Sequence, residues 1–376
     1  MFLTNPFVIG TYISEEYFCD REEEKEKLIG HLRNGRNVVL FSERRMGKTG
    51  LIQHVFHNKQ IQKDYNCLYF DAYACGNIQE FTYELTNCVF NNLRETGSFL
   101  EKITAIFRSI QLSLEIDPMT GKPEIGISLG EIKQPERTLQ EAFSFLNTLE
   151  NPVILAIDEF QQILSFKDFN TAAFLRGLVQ TSSNVKMIYA GSEAHLLSNL
   201  FPQSSSPFYQ TSTMMHLEAI PADKYFLFAK EKFAKEDKTI TETVFYEIYE
   251  EFQGCTWFVQ SALNRIYANT LPGEKVPADA LEKTVRTLLQ EQDVFYRTLL
   301  STLPMAQKAL LFAVAKEKTV SNPSSTEFVK KYSLSSVSST QSAARSLIEK
   351  GVLRKTDKGL SIYDFLFNAW IKKHYV

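Results

Sequence analysis

Apolar residues in the first 220 positions follow two alternating patterns. Short continuous apolar runs bounded by polar residues are typical of strands that are covered on both faces of a sheet. Between them lie longer stretches with apolar residues at helical spacing. The runs that predict strands are 37–41, 67–73, 152–157 and 185–190, with a fifth beginning near 214. This alternation predicts βαβ units and a parallel sheet with helices on both faces.

One segment, near 111–130, interrupts this pattern. Apolar and polar residues alternate at 112–116 and again at 125–129, and the turn-forming sequence DPMTG at 117–121 separates the two. Strict alternation on either side of a turn predicts a β-hairpin. We interpret it as an insertion in the α/β domain.

From position 222 onward the pattern of apolar and polar residues is different. Positions 222–300 are helical in pattern and acidic, which predicts an all-α lid. Beyond 304 the pattern predicts helices near 304–317, 325–332 and 340–350, followed by a small β-wing over 351–362. This order is typical of a winged helix-turn-helix. The predicted domains are therefore a core over 1–220, a lid over 221–300 and a winged helix over 301–376.

Charge is unevenly distributed along the 376 residues. The whole chain has a formal net charge of -3, but positions 301–376 hold 12 Lys or Arg against five Asp or Glu. A basic terminal domain favours contacts with DNA phosphates, although lysine-rich faces are also common where a surface is simply solvated. Both interpretations stay open at this point.

Cysteine usage and hydropathy indicate the compartment. The five cysteines are scattered and form no CxxC pair, which is typical of reduced thiols. No apolar run approaches the roughly 18 residues of a membrane helix, and the first residues lack the pattern of a signal peptide. We therefore expect a cytoplasmic protein without a membrane partner.

Gly47, Lys48 and Thr49 lie between the first predicted strand and a helix. In a phosphate-binding loop of this kind, backbone N–H groups and the helix N-terminus face the phosphates. Lys48 would then reach the β- and γ-phosphates, and the Thr49 hydroxyl would bind Mg²⁺. Ser42 stands where the P-loop pattern has its first glycine, which narrows the backbone conformations allowed there.

A second motif, ILAIDE at 154–159, places Asp158 and Glu159 at the end of a buried strand. Ligands bind at this edge of a parallel sheet. Asp158 would hold Mg²⁺ and Glu159 would polarise the attacking water. Ser192 follows the next strand, where its hydroxyl could sense the γ-phosphate or could cap a helix. In the helix after the loop, His54 and His57 are interpreted as surface residues, because no third metal ligand is visible in the sequence.

Together these residues resemble the archaeal-type ATPase family, a branch of the signal-transduction ATPases with numerous domains that is related to AAA+ proteins. The resemblance covers nearly the whole chain. Its motifs are FCDREEE at 18–24, SERRMGKT at 42–49, the two strand ends 158–159 and 191–192, GCTWF at 254–258, and the C-terminal winged helix. It implies an α/β P-loop NTPase core with a hairpin insertion, followed by an all-α lid and a winged helix-turn-helix.

The resemblance also implies ATP or ADP and Mg²⁺ as ligands, with nucleotide-dependent movement of core, lid and winged helix. The expected catalytic residues are Glu159, Lys48 and Ser192, and the expected metal ligands are Thr49 and Asp158. Expected nucleotide contacts are Arg44, Arg45, Met46, Gly47, Lys48, Thr49, Gly50, the backbone near Phe7, and Phe18 or Arg21. For Arg44 and Arg45, contacts with solvent or with the sheet edge are the alternative.

The segment 207–211 departs from the family, because many relatives carry an arginine after its aromatic residue. Such an arginine stabilises transition-state charge. A neighbouring copy in a homo-oligomer, or another protein partner, could supply it. Three hypotheses stay open: a switch that hydrolyses ATP slowly, a nucleotide sensor without hydrolysis, and an ATP-controlled winged-helix regulator that binds DNA.

Overall fold

The structure is a computed structural model. It describes residues 5–93, 103, 105–110, 113–116, 123–126, 130, 132–167, 170–192, 200, 201, 208, 210–317, 319–356 and 358–376. The chain forms two compact units, Met1–Phe228 with Gly254–Ser261 and Ala229–Gln253 with Ala262–Val376. Residues of the predicted lid, 221–300, belong partly to each unit.

Five parallel strands form the sheet of the first unit. Together with two separate hairpins, the described strands of the chain are, in order, β1 Asn37–Phe41, β2 Asn66–Asp71, β3 Ser113–Ile116, β4 Pro123–Gly126, β5 Val153–Asp158, β6 Val185–Gly191, β7 Ser212–His216, β8 Leu353–Thr356 and β9 Gly359–Ile362. The parallel sheet has the order β2-β5-β6-β1-β7. This confirms the predicted parallel sheet, and it places β6 between the two strands that carry the nucleotide motifs.

Side chains alternate between two apolar layers along each central strand. In β5, Val153, Leu155 and Ile157 join one core cluster, whereas Ile154 and Ala156 join the cluster on the opposite face. Because successive strand residues point to opposite faces, a strand buried on both sides must be apolar throughout. The continuous apolar runs in the sequence therefore reflect helices on both faces.

The helices are α1 Glu22–Arg33, α2 Lys48–Phe56, α3 Lys59–Asp64, α4 Ile78–Asn92, α5 Pro135–Asn147, α6 Thr171–Thr181, α7 Ala222–Ala234, α8 Glu242–Glu251, α9 Thr256–Asn269, α10 Ala280–Ser301, α11 Met305–Glu317, α12 Thr326–Lys331, α13 Val337–Glu349 and α14 Phe365–Tyr375. Short 3₁₀ helices span Glu15–Tyr17 and Phe160–Ser165. Helices α7 and α9 contribute residues to both units.

The predicted hairpin is confirmed by the antiparallel pairing of β3 with β4. Its turn at 117–121, together with Leu112, Ile127 and Leu129, lies outside the described residues.

The second unit contains the winged helix, in which α11, α12 and α13 are followed by the antiparallel wing of β8 and β9. The last helix, α14, packs against α10. Trp370 is fully buried and donates from Nε1 to Asp293 Oδ1 at 2.8 Å. Asp364 caps α14 by accepting from the backbone N–H groups of Leu366 and Phe367, and thereby fixes where that helix begins.

Candidate functional site

The side chain of Lys48 lies inside the loop that joins β1 to α2. Its Nζ donates to the carbonyl oxygens of Ser42 and Glu43, at 3.2 and 3.0 Å, and to Ser42 Oγ at 3.3 Å. The residue is only 6% exposed. Burial lowers the pKa of Lys48, against the opposing effect of the carboxylates of Asp158 and Glu159. A buried ammonium whose acceptors are neutral loop oxygens is suited to an anionic ligand such as a phosphate.

Ser42 occupies the position of the first P-loop glycine without backbone strain. The left-handed residues of this loop are Arg45 and Gly47, with φ of 67° and 94°. Ser42 is not one of the described residues with positive φ. Its hydroxyl donates to the Glu43 carbonyl at 2.9 Å. A side chain is therefore compatible with the backbone at position 42.

The carboxylate of Asp158 accepts hydrogen bonds from three parts of the chain. Thr49 Oγ1 donates to Asp158 Oδ2 at 2.6 Å, although the two residues lie 109 positions apart. Tyr69 Oη donates to the same oxygen at 3.1 Å, and the backbone N–H of Glu159 donates to Oδ1 at 3.0 Å. Burial, reinforced by Asp158 and Asp71, raises the pKa of Tyr69, so this hydroxyl stays protonated. A hydroxyl beside a carboxylate is a donor set that fits Mg²⁺.

Glu159 is fixed by the strand that lies between the two motifs. Ser192 Oγ donates to its carboxylate oxygens at 3.0 and 2.8 Å, and Gln161 Nε2 donates to Oε2. Arg44 Nε donates in turn to Ser192 Oγ at 3.2 Å. Ser192 thus links a loop arginine to the carboxylate predicted to polarise water. The helix-cap alternative for Ser192 involves residues 193–199, which lie outside the described residues.

The first turn of α9 is attached to the same loop. The guanidinium of Arg45 lies 4.5 Å from the ring centroid of Trp257 and 4.9 Å from that of Phe258. The backbone N–H of Trp257 donates to the Arg45 carbonyl at 3.1 Å, and Thr256 Oγ1 donates to the Met46 carbonyl at 3.2 Å. Arg45 therefore contacts aromatic rings, while Arg44 contacts the sheet edge.

Arg21 also contacts the loop. It is 2% exposed, donates from Nη2 to the Met46 carbonyl at 3.2 Å, and pairs with Glu24 at 2.8 Å. A Cβ at Gly50 would lie 3.2 Å from the ring of Phe18, so a glycine allows this ring to approach α2. Both Arg21 and Phe18 line the cavity that opens beside the loop.

This cavity has a volume of about 440 Å³, within the range of small-molecule sites. Its lining includes the charged and polar side chains of Lys48, Thr49, Asp158 and Glu159 together with aromatic rings, among them those of Tyr12, Tyr17, Phe18 and Trp257. The cavity thus offers charged groups for phosphates and Mg²⁺ and rings on which a base can stack. It fits a nucleotide.

Residues 18–260 match a family described as an ATPase domain predominantly from Archaea. The chain belongs to this archaeal ATPase family. Residues 294–373 match a probable winged helix domain, and this match begins inside α10, before the boundary predicted at 301. No curated protein sequence matches the chain at a significant level.

Three solved structures show the same fold as this ATPase over nearly its whole length. A Walker-type ATPase of Pyrococcus abyssi is 18% identical, with a TM-score of 0.64 and coverage of 98% of this chain and 99% of that one. The ORC2 protein of Aeropyrum pernix, in ADPNP and ADP complexes, is 14% identical, with a TM-score of 0.57 and coverage of 98% and 97%. The ORC1 protein of Aeropyrum pernix, in complex with DNA, is 12% identical, with a TM-score of 0.54 and coverage of 98% and 96%.

The structure brings together nearly all the predicted site residues of the ATPase. Arg44, Arg45, Met46, Gly47, Lys48, Thr49, Gly50, Asp158, Glu159 and Arg21 line the cavity, and Ser192 joins it through Arg44 and Glu159. Phe7 does not line it, because its ring is fully buried and packs against Phe228, with centroids 6.1 Å apart. Its neighbour Val8 lines the cavity instead.

Other contributors to the site had weak sequence signals. Tyr225 and Gln260 both line the cavity and are joined by a 2.7 Å hydrogen bond from Tyr225 Oη to Gln260 Oε1. Each is an isolated residue on a helix, outside any motif. Tyr69 lies within the apolar run 67–73, which predicts a strand but does not mark a site residue. Only the resemblance at 254–258 pointed to Thr256 and Trp257.

Two further expectations concern helix surfaces and the segment 207–211. His54 is buried at 5% exposure, so its interpretation as a surface histidine is wrong, whereas His57 is exposed. In the segment 207–211, Pro207 and Tyr209 lie outside the described residues, and Phe208 is buried in the core.

Over the described part of the chain, no helix has both the length and the apolar character needed to span a membrane.

Proposed function

We propose that this ATPase is an ATP-binding switch, in which slow Mg²⁺-dependent hydrolysis is coupled to rearrangement of the lid and winged-helix domains. The observation that carries the proposal is the 2.6 Å hydrogen bond from Thr49 to Asp158. It joins the loop that begins α2 to the carboxylate that ends β5, as a shared Mg²⁺ site requires.

Each residue then has a defined task. Lys48 would contact the β- and γ-phosphates, and Thr49 and Asp158 would hold Mg²⁺, which would offset the phosphate charge. Glu159 orients the water that attacks the γ-phosphorus while the bond to the β-phosphate oxygen breaks and ADP leaves. Ser192, beside Glu159, contacts the γ-phosphate. Ser192 and Gln161 both donate to the Glu159 carboxylate and so hold its orientation, while Oε1, with one of these contacts, keeps a lone pair for water.

The test compares the wild type with Lys48→Ala and Glu159→Gln in two assays, equilibrium binding of ATP and multiple-turnover hydrolysis with Mg²⁺. We expect turnover only in the wild type, binding without turnover in Glu159→Gln, and no binding in Lys48→Ala. Binding by the wild type without hydrolysis at any protein concentration would establish the sensor function instead. A specific activity that rises with protein concentration would indicate that a second copy completes the site.

A second candidate function, DNA binding controlled by ATP, is favoured by the exposed face of the winged helix. On α13, Gln341 and Arg345 are exposed, and on the wing Lys355 and Lys358 are exposed. In a winged helix the corresponding helix enters the major groove and the wing contacts phosphates. The basic excess of positions 301–376 supplies the charge that phosphate contacts require.

DNA affinity measured by fluorescence anisotropy over a range of salt concentrations tests this second function. We expect affinity to fall steeply with salt, and Lys355→Ala to lower the salt slope by about 0.9. Glu327→Gln, a change of one charge in α12, is the control and should leave the slope unchanged. Absence of measurable binding at low salt, with and without ATP, would exclude this function.

A further inference from the structure

The imidazole of His54 has one nitrogen that forms no hydrogen bond within the part of the chain that the structure describes. The side chain lies on α2, is 5% exposed, and stacks on Phe18 with centroids 4.4 Å apart. Its Nδ1 lies 3.0 Å from the hydroxyl of Tyr12. Its Nε2 is buried and has no hydrogen-bond partner among the described residues. A buried polar atom without a hydrogen-bond partner normally destabilises the folded protein. A ligand bound to this nitrogen would remove that penalty.

Two carboxylates face this nitrogen. Glu22 Oε1 lies 3.8 Å from His54 Nε2, which is too long for a hydrogen bond. Ligand atoms of Glu15, Glu22 and His54 all lie within 4.8 Å of one another. Two ligands of a tetrahedral zinc ion are about 3.3 Å apart when each bond is about 2.0 to 2.1 Å. Small rotations of the two exposed glutamates therefore suffice to close the cluster around one ion.

The charges in this cluster also favour a cation. Two carboxylates this close repel each other, and Lys25 pairs with the other oxygen of Glu22, Oε2. That pairing leaves Oε1 for a metal, in the way that ligating carboxylates are usually held by an outer partner.

We propose that His54, Glu15 and Glu22 form a binding site for a divalent transition-metal ion of the Zn²⁺ type, with water completing its coordination. One imidazole nitrogen with two carboxylate oxygens suits Zn²⁺, whereas Mg²⁺ prefers oxygen ligands alone. The neutral imidazole is the form of histidine that binds a metal ion. In that form Nδ1–H can donate to Tyr12, which orients the ring and leaves the Nε2 lone pair for the metal.

The ion would connect three elements, and residues between the first two of them form part of the cavity wall. Glu15 belongs to the 3₁₀ helix Glu15–Tyr17, Glu22 begins α1, and His54 lies on the helix that follows the phosphate loop. Tyr17 and Phe18, between the two glutamates, line the cavity. Metal binding would therefore hold this wall against α2 and stabilise the folded chain.

The experiment uses the full chain, stripped with a chelator and dialysed. Isothermal titration calorimetry with Zn²⁺ is performed in excess Mg²⁺, so that Thr49 and Asp158 do not contribute, and a separate titration uses Mg²⁺ alone. We compare Glu15→Gln and Glu22→Gln with Glu16→Gln, a matched control at the exposed neighbour of Glu15. We expect one Zn²⁺ per wild-type chain, and at least about tenfold weaker binding in the first two variants but not in the control.

Thermal unfolding gives a second readout that does not depend on ATP. Zn²⁺ should raise the melting temperature of the wild type and of Glu16→Gln, and should raise it less in Glu22→Gln. Because both glutamates are exposed, their variants should fold even if a change at buried His54 does not. The proposal is overturned if no Zn²⁺ binds, if Mg²⁺ binds this cluster as tightly, or if both glutamate variants keep wild-type affinity, as they would if cysteine thiols were the ligands.

Discussion

The hydroxyl of Tyr69, in the middle of β2, donates a 3.1 Å hydrogen bond to Asp158 at the end of β5. The oxygen that accepts it, Oδ2, also accepts from Thr49. Because β2 and β5 are parallel neighbours, Tyr69 fixes the carboxylate from the side opposite the phosphate loop. It thereby acts as a positioning residue for the proposed Mg²⁺ site.

Replacement of Tyr69 by Phe should weaken this site while the fold is retained. We expect the free energy of unfolding to fall by about 1 to 2 kcal/mol, because a hydrogen bond to a charged group is lost. We also expect a several-fold higher Mg²⁺ requirement for ATP hydrolysis. Chemical denaturation and Mg²⁺ titration measure the two effects. The control is Tyr65→Phe, at a partly buried tyrosine of the same unit, and equal effects in both variants would argue against a positioning role for Tyr69.

Because the backbone at Ser42 is unstrained, we expect that replacing Ser42 by the family glycine improves neither stability nor ATP affinity. Ser42→Gly should lower the free energy of unfolding by about 1 kcal/mol, because the hydroxyl contact with Lys48 is lost and the unfolded chain gains freedom. ATP affinity should stay within about twofold. Ser42→Ala, which removes the hydroxyl but keeps Cβ, separates the two contributions. A large increase in ATP affinity in Ser42→Gly alone would show that the serine does strain the loop.

Tryptophan fluorescence should report nucleotide binding through one residue. The chain has two tryptophans, Trp257 in the cavity wall beside Arg45 and the fully buried Trp370 of the second unit. Titration with ATP should change the emission of the wild type and of Trp370→Phe. Trp257→Phe should lose the response while its ATP affinity, measured by calorimetry, changes little. A response that survives in Trp257→Phe would come from Trp370, and would show that ATP binding changes the surroundings of the winged-helix tryptophan.

Three thiols should be unreactive in the native protein. Burial raises the pKa of Cys67, Cys75 and Cys88 to about 12, against an ordinary value of 9.0. At pH 8 their thiolate fractions, and hence their alkylation rates, should be about 1,000-fold below those of free thiols. Iodoacetamide labelling followed by peptide mass spectrometry measures this, with protein unfolded in guanidinium as the control. Rapid labelling of native Cys67 would show that β2 opens readily.

Much of the fold follows from local pattern. Apolar runs such as 153–157 predicted strands because a sheet covered on both faces requires apolar residues at every position. The phosphate loop and the strand ending in Asp158 and Glu159 were predictable because each motif depends on a strand or helix a few residues away. The hairpin and the winged helix were likewise readable from short-range alternation, turn residues and helix length.

The sequence by itself thus determined the parallel sheet, the winged helix and the residues of the phosphate loop. Only the tertiary structure decided which distant side chains meet them. The strand order places Ser192 beside Glu159 and Tyr69 beside Asp158, and helix packing buries His54 next to Glu15 and Glu22. Such contacts join residues tens of positions apart, and periodicity, which reflects only which face of an element is buried, carries no information about which neighbour covers it.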